Sequence, residues 1–183
     1  MTRSLLSAML LAKTYLVSSI LMAITAFSAP GYTAEATQEQ QLKAVLIYRM
    51  GSYVTWQNKP LNITYCFVGD QSHKIGKVLS DRQKIGKLPD NIKVMNKDSY
   101  TSQTAMECSV VYIPDEFEIA KDTLDSISKS VFTITDSSKA LNEGFIASIE
   151  IHKNKPLLSI SKENLKNSNV SVNSRFLSWV KLL

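Results

Sequence analysis

The segment CSVVYIPDEFEIAKDTLDSISKSVFTITD, residues 108–136, decides the fold class. Cys108 to Ile113 is a strongly apolar run, and Pro114 closes it because a proline has no N–H to offer a strand ladder. Glu116 to Ser128 predicts a helix, with Phe117, Ala120, Leu124 and Ile127 recurring along one side. Val131 to Thr135 is a second apolar strand, closed by Asp136. Strands that do not alternate with polar residues are buried on both faces. Short strands of this kind alternating with helices predict an α/β sheet with a mainly parallel core.

The pattern continues upstream. Leu61 to Val68 predicts a strand stopped by Gly69-Asp70, followed by a helix from about Lys74 to Ser80. A polar, hairpin-like region around Gly86 and Pro89 leads to a short strand from Ile92 to Met95. Asp98 is placed to cap a weak helical turn running to about Ala105. Ahead of these, Glu39 to about Tyr53 predicts a helix whose apolar stripe is Leu42, Val45, Leu46 and Met50, widened by Ala44, Ile47 and Tyr48. Gly51, Val54 and Thr55 weaken it towards Trp56, and Asn58-Lys59-Pro60 ends it.

Downstream, Phe145 to His152 and Pro156 to Ile160 flank Lys153-Asn154-Lys155 as a β-hairpin. Ser161 caps a short helix over Lys162 to Lys166, and Val170 and Val172 suggest one more short strand. Ser174 to Leu183 predicts a final amphipathic helix docked on the domain. No internal repeat or linker divides the chain. The reading is one α/β domain, with a mainly parallel central sheet, flanking helices, and a C-terminal hairpin and helix.

The N-terminus has a separate character. Arg3 and Lys13 precede an apolar run, Tyr15 to Phe27, and small residues follow, with Ala29, Ala34 and Ala36 as cleavage positions. A basic head, an apolar stretch and a small-residue exit predict a secretory signal peptide. The alternative, a membrane anchor, asks for roughly 20 apolar residues, and this run meets Pro30-Gly31 first. Residues 1–36 are therefore read as a removed signal and lead-in, and residues 37–183 as the working domain, a common single-domain size.

The net charge of +5 is spread along the chain with no basic run or aromatic-studded stripe, which argues against nucleic acid as a partner. The two cysteines, Cys66 and Cys108, are too far apart in sequence for a redox Cys-x-x-Cys site or paired zinc ligands. In an oxidising compartment an even pair is expected to form a structural disulfide.

Catalytic patterns are missing. Residues 69–78, GDQSHKIGKV, follow a strand and open a helix as a phosphate loop does. The spacing is too long, though, and Val78 stands where a hydroxyl would hold magnesium. His73 and His152, the only histidines, have no carboxylate or cysteine at ligand spacing. No nucleophile elbow or metalloprotease motif occurs. The expectation is a binding protein rather than an enzyme, with no cofactor and no metal. Tyr48, Tyr53, Trp56 and Trp179 read first as core aromatics. Arg175, beside Asn173 and Ser174 at the start of the terminal helix, is placed to meet an anion or a partner carboxylate. Tyr48, Trp56, Asn173 and Arg175 are the candidates for partner or ligand contact.

The residues also carry a resemblance. Leu42-Lys43-Ala44-Val45-Leu46-Ile47-Tyr48-Arg49 through Trp56 and Ile63 to Asp70 with Cys66 and Gly69 come first. Cys108 at the head of a strand, Val131 to Asp136 before Gly144-Phe145, and Val172-Asn173-Ser174-Arg175-Phe176-Leu177 follow in order. Together they resemble the YfiR-type periplasmic proteins over about Leu42 to Leu183. The resemblance implies a periplasmic repressor that binds the periplasmic sensor domain of an inner-membrane diguanylate cyclase, so limiting cyclic di-GMP and biofilm growth. It further implies that an OmpA-like outer-membrane lipoprotein can sequester the repressor, and, since family members are often dimeric, a homodimer is the oligomer it points to. Cys66 and Cys108 match the family's core cysteine pair, whereas the second pair that some members carry near the hairpin is missing. A competing expectation is a periplasmic sensor that binds a small molecule in an α/β cleft.

Overall fold

The computed structural model describes residues 35–101 and 106–183. The secretory segment of the sequence reading lies outside the described residues, apart from its last two positions. The first helix, α1 (Gln38–Ser52), begins at a capping box: Thr37 Oγ1 accepts the Gln40 N–H, and the Gln40 side chain accepts the Thr37 N–H. Its buried stripe is Ala44, Ile47, Met50 and Gly51, at helical spacing. Leu46 and Tyr48 pack at the flanks.

Seven strands form the main sheet: β2 (Ile63–Val68), β3 (Ile92–Lys97), β4 (Val110–Tyr112), β5 (Phe132–Thr135), β6 (Ala147–His152), β7 (Lys155–Ile160) and β9 (Lys181–Leu182). Their order is β3-β2-β4-β5-β6-β7-β9. The first five run parallel, β7 turns back antiparallel to β6, and β9 runs parallel to β7. Numbered along the chain, the parallel strands stand second, first, third, fourth, fifth. This is a doubly wound order, in which the chain leaves β2 to one side and returns to the other for β4.

Side-chain alternation sends each strand to two cores. Tyr65 and Phe67 of β2, Val110 and Tyr112 of β4, and Phe132 and Ile134 of β5 pack with α1 and with Ile75 and Leu79 of α2 (Asp70–Lys84). Cys66, Val68, Val111, Ile113 and Val131 pack on the opposite face with Leu124 and Ile127 of α3 (Lys121–Ile127). Helices thus cover both faces, which explains why the strands read as unbroken apolar runs. Cys66 and Cys108 are joined by a disulfide on this second face.

A separate two-stranded ribbon pairs β1 (Val54–Trp56) antiparallel with β8 (Val170–Val172). At the first of these strands the sequence alone suggests only a fading helix. Val54 and Thr55 are β-branched, and a partner more than a hundred residues away supplies the ladder.

Other departures have local causes. The helix expected from Glu116 starts only at Lys121, and its N-cap residue, Ala120, makes no side-chain cap hydrogen bond. Phe117 and Ile119 pack on the second core from the preceding loop instead. The region around Gly86 and Pro89 is no hairpin: it closes the α2 crossover between the parallel strands β2 and β3. The α2 helix itself begins at Asp70 and is longer than the expected Lys74–Ser80. Asp98 and Ser99 form a bend rather than a helical start, and residues 102–105 lie outside the described residues.

The terminal helix is a single turn, α5 (Ser174–Leu177), followed by β9. The Leu183 N–H donates to Ile160 O and the Lys162 N–H to Leu183 O. The chain end thus meets backbone groups that the open edge of β7 would otherwise leave to water. The β6–β7 hairpin and α4 (Lys162–Lys166), whose Asn164 N–H is accepted by Ser161 Oγ, match the sequence reading. Among the described residues, no helix is long and apolar enough to cross a membrane.

Candidate functional site

In a doubly wound sheet the functional crevice forms outside the carboxyl ends of the strands, at the point where the strand order reverses. Here that point lies between β2 and β4. Gly69 ends β2 with φ of 81° and passes directly into α2. A side chain there would be strained, and a Cβ would lie 3.1 Å from the Phe117 ring. Ser72, fully buried in the first turn, donates its hydroxyl to Val68 O at 2.6 Å, with Gly69 O the alternative acceptor at 2.7 Å. The turn is therefore held from below.

Four of the five parallel strands that reach this edge are followed by an acid: Asp70 after β2, Asp98 after β3, Asp115 and Glu116 after β4, and Asp136 after β5. Glu39, in the first turn of α1, faces the same edge. Lys43 answers two of these carboxylates, with Nζ 2.7 Å from Asp136 Oδ1 and 3.1 Å from Glu39 Oε1. The buried Tyr112 hydroxyl donates to Asp136 Oδ1 at 2.7 Å, and Thr135 Oγ1 donates to Asp115 Oδ1 at 2.9 Å. Burial pulls the Lys43 pKa down, but its bonds to Asp136 and Glu39 more than offset this, so it stands above 10.5 and the ammonium persists. Burial, reinforced by Asp136, pushes the Tyr112 phenol far above its ordinary range, so it acts only as a donor.

Several clefts open along this edge, and two of them share the Phe117 ring. One of about 520 Å³ is lined by Asp115, Phe117, Thr135, Lys139, Glu143 and Phe145, among others. A smaller one of about 280 Å³ lies over Gly69, Asp70, Asp98, Glu116 and Phe117. In a chain of net charge +5, this edge is locally acidic. Such a field repels phosphate and attracts cations, so the phosphate-loop likeness of residues 69–78 has no chemical support.

The candidates drawn from the sequence lie elsewhere. The α1 helix carries the chain away from Asp136, and the ribbon ties to the amino edge of the sheet, where the Asn169 N–H donates to Lys129 O just before β5. Trp56 is 8% exposed and belongs to the core. Tyr48 is half-buried against Tyr65, with ring centroids 5.9 Å apart, and its carbonyl accepts the Tyr65 hydroxyl. Asn173 caps α5 by accepting the Arg175 N–H at 2.9 Å, while its own N–H is held by Tyr53 O. Arg175 is exposed and, among the described residues, has no carboxylate partner. The fold thus gathers Trp56, Asn173 and Arg175 about the ribbon but separates them from the acidic edge.

Three side chains, Trp179, His73 and His152, have surroundings other than those expected from the sequence. Trp179 is 74% exposed, not a core residue, because the helix expected to bury it ends at Leu177. His73 stands one helical turn from Asp70 and 3.6 Å from Asp98, and His152 lies 3.2 Å from Glu150. Both histidines therefore have carboxylate neighbours that the sequence reading did not assign. The signal for the acidic edge was present in the sequence, as an acid within three residues of the end of each of four successive strands.

A profile of the YfiR/HmsC-like family matches residues 40–180. The chain belongs to that family. The match takes in the β1–β8 ribbon and every strand of the main sheet except the terminal β9. No curated protein matches the chain. Among solved structures it is similar to a conserved domain protein from Vibrio cholerae O1 biovar El Tor, at 12% identity and a TM-score of 0.47. The alignment covers 81% of this chain and 61% of that one, so this YfiR/HmsC-like chain spans less than two thirds of its length.

Proposed function

We propose that this YfiR/HmsC-like protein is a periplasmic regulator. It restrains an inner-membrane diguanylate cyclase by binding the cyclase's periplasmic sensor domain, and an OmpA-like outer-membrane lipoprotein relieves that restraint by sequestering it. The observation that carries the reading is the family match over residues 40–180, which spans almost the whole described fold. The surface near the C-terminus supports it. Arg175 stands unpaired among the described residues and Trp179 is largely exposed a few residues on. Arginine and tryptophan are the side chains that most often anchor protein interfaces. In this proposal residues 1–36 direct export and are removed, residues 37–183 do the binding, and Cys66–Cys108 holds the sheet rather than any contact.

Restraint of this kind is an equilibrium: the regulator shifts the cyclase only by its preference for the inactive sensor conformation over the active one. The test is cyclic di-GMP measured in a strain lacking the protein. The level and surface attachment should rise, and the exported protein should reverse both, whereas a form without residues 1–36 should not. Arg175→Ala with Trp179→Ala should fold normally and fail to complement. An unchanged cyclic di-GMP level, with the protein expressed in the parent strain, refutes the proposal.

One observation favours the alternative of a small-molecule sensor. The cleft of about 520 Å³ sets Phe117, Ile119 and Phe145 beside Lys139 and Glu143, a mix suited to a small amphipathic ligand. Under that reading Phe117→Ala abolishes the response to the ligand while the Arg175 and Trp179 substitutions leave it intact.

A further inference from the structure

Three side chains with metal-binding chemistry meet at the carboxyl ends of β2 and β3. Asp70 and His73 lie one turn apart at the start of α2, and Asp98 directly follows β3, the strand paired with β2. One donor atom from each, two carboxylate oxygens and an imidazole nitrogen, all fall within 4.8 Å of one another.

The histidine gives the cluster its meaning. His73 Nε2 is shut off from solvent and has no hydrogen-bond partner among the described residues. Its nearest carboxylate oxygen, Asp98 Oδ1, is 3.6 Å away, too far for a hydrogen bond. Two ligands on one ion, each at about 2.0–2.2 Å, stand roughly 3–3.5 Å apart at tetrahedral or octahedral angles. The separation therefore suits a shared cation better than a direct bond. Neither aspartate is paired with a lysine or arginine among the described residues. The amino end of α2 opposes a cation with only about half a positive charge, which two carboxylates outweigh.

We propose that Asp70, His73 and Asp98 form a binding site for a divalent transition-metal ion, with zinc the best fit. A neutral imidazole with two carboxylates suits zinc, whereas magnesium and calcium favour oxygen ligands alone. Three protein ligands leave a position open. The two aspartates line the cleft of about 280 Å³ together with Glu116, a further carboxylate, and Phe117, an apolar wall. The site is independent of the repressor reading, since it lies on the acidic edge and not near Arg175.

The experiment is calorimetric titration of zinc chloride into the untagged, chelator-treated protein, with thermal unfolding measured in parallel. One zinc should bind per chain and raise Tm in a concentration-dependent way, because an ion that binds only the folded state stabilises it by mass action. His73→Ala and Asp98→Asn should each weaken binding at least tenfold without changing the Tm of the metal-free protein. Asp98 is 91% exposed, so its substitution does not threaten the fold. His152→Ala should leave binding intact. No zinc binding, binding unchanged in His73→Ala, loss of binding in His152→Ala, or a preference for calcium over zinc would each overturn the assignment.

Discussion

Lys43 and Asp136 meet at 2.7 Å, although they sit on elements that are far apart in the chain, α1 and the end of β5. The same carboxylate oxygen accepts the Tyr112 hydroxyl. This single acid therefore ties the first helix to two adjacent strands at the edge where the clefts open.

Asp136→Asn keeps the shape but removes the charge, and should lower unfolding stability by about 1.5–3 kcal/mol, the usual worth of a hydrogen bond to a charged group. The pair also fixes a pH dependence. The Lys43 pKa is raised, so its contribution is complete below 10.5 and fades as pH climbs through the higher folded value. Urea unfolding between pH 8 and 12 should show wild type losing stability faster than Asp136→Asn. Parallel curves would show that the pair contributes nothing.

The disulfide should matter through the unfolded chain. Cys66 and Cys108 are 42 residues apart, and closing such a loop stabilises by about 4 kcal/mol in the chain-entropy treatment. Cys66→Ala with Cys108→Ala should lower the denaturant midpoint accordingly while leaving the circular dichroism spectrum of the folded state unchanged. An unaltered midpoint would sink the claim.

The β6–β7 hairpin turns on Lys153 and Asn154, with φ of 49° and 63°. A two-residue turn with both residues left-handed favours Asn-Gly. Lys153→Asn with Asn154→Gly should stabilise the protein by about 0.5–1 kcal/mol, visible as a higher Tm. A lower Tm would mean that the lysine side chain has a role the backbone does not reveal.

Glu150 accepts hydrogen bonds from Ser138, chiefly, and lies beside His152; these hold its pKa below the ordinary 4.5. A depressed acid contributes stability above 4.5 and loses it as pH falls through the lower folded value. Glu150→Gln should therefore be less stable than wild type at pH 6, by about 1 kcal/mol, with the gap closing towards pH 3. A gap that stays constant across that range would contradict the assignment.

Much of this architecture could be read from the sequence. The runs Tyr65–Val68, Val110–Ile113 and Val131–Ile134 carry no polar alternation, and only a sheet covered on both faces explains that. The helical period of Leu42, Val45, Leu46 and Met50 likewise required a helix, although its buried centre is Ala44, Ile47 and Met50, the residues read as widening that stripe. The cysteine pair followed from composition and compartment. The elements that were misread are those with little local signal. Val54–Trp56 is too short to announce itself and needs Val170–Val172 to become a strand. Lys181–Leu182 is a strand only because β7 offers an open edge beside it.

The sequence by itself determined which segments are apolar, their period, and hence a parallel α/β sheet with helices on both faces. These are properties of neighbouring residues along one chain. The tertiary structure alone decided that four acids ending four different strands would share an edge with Lys43. It also decided that Asp98 would come to His73, and that Trp179 would stay at the surface. Strand order brings distant residues together, and strand order is set by the packing of the whole sheet, which no local pattern records.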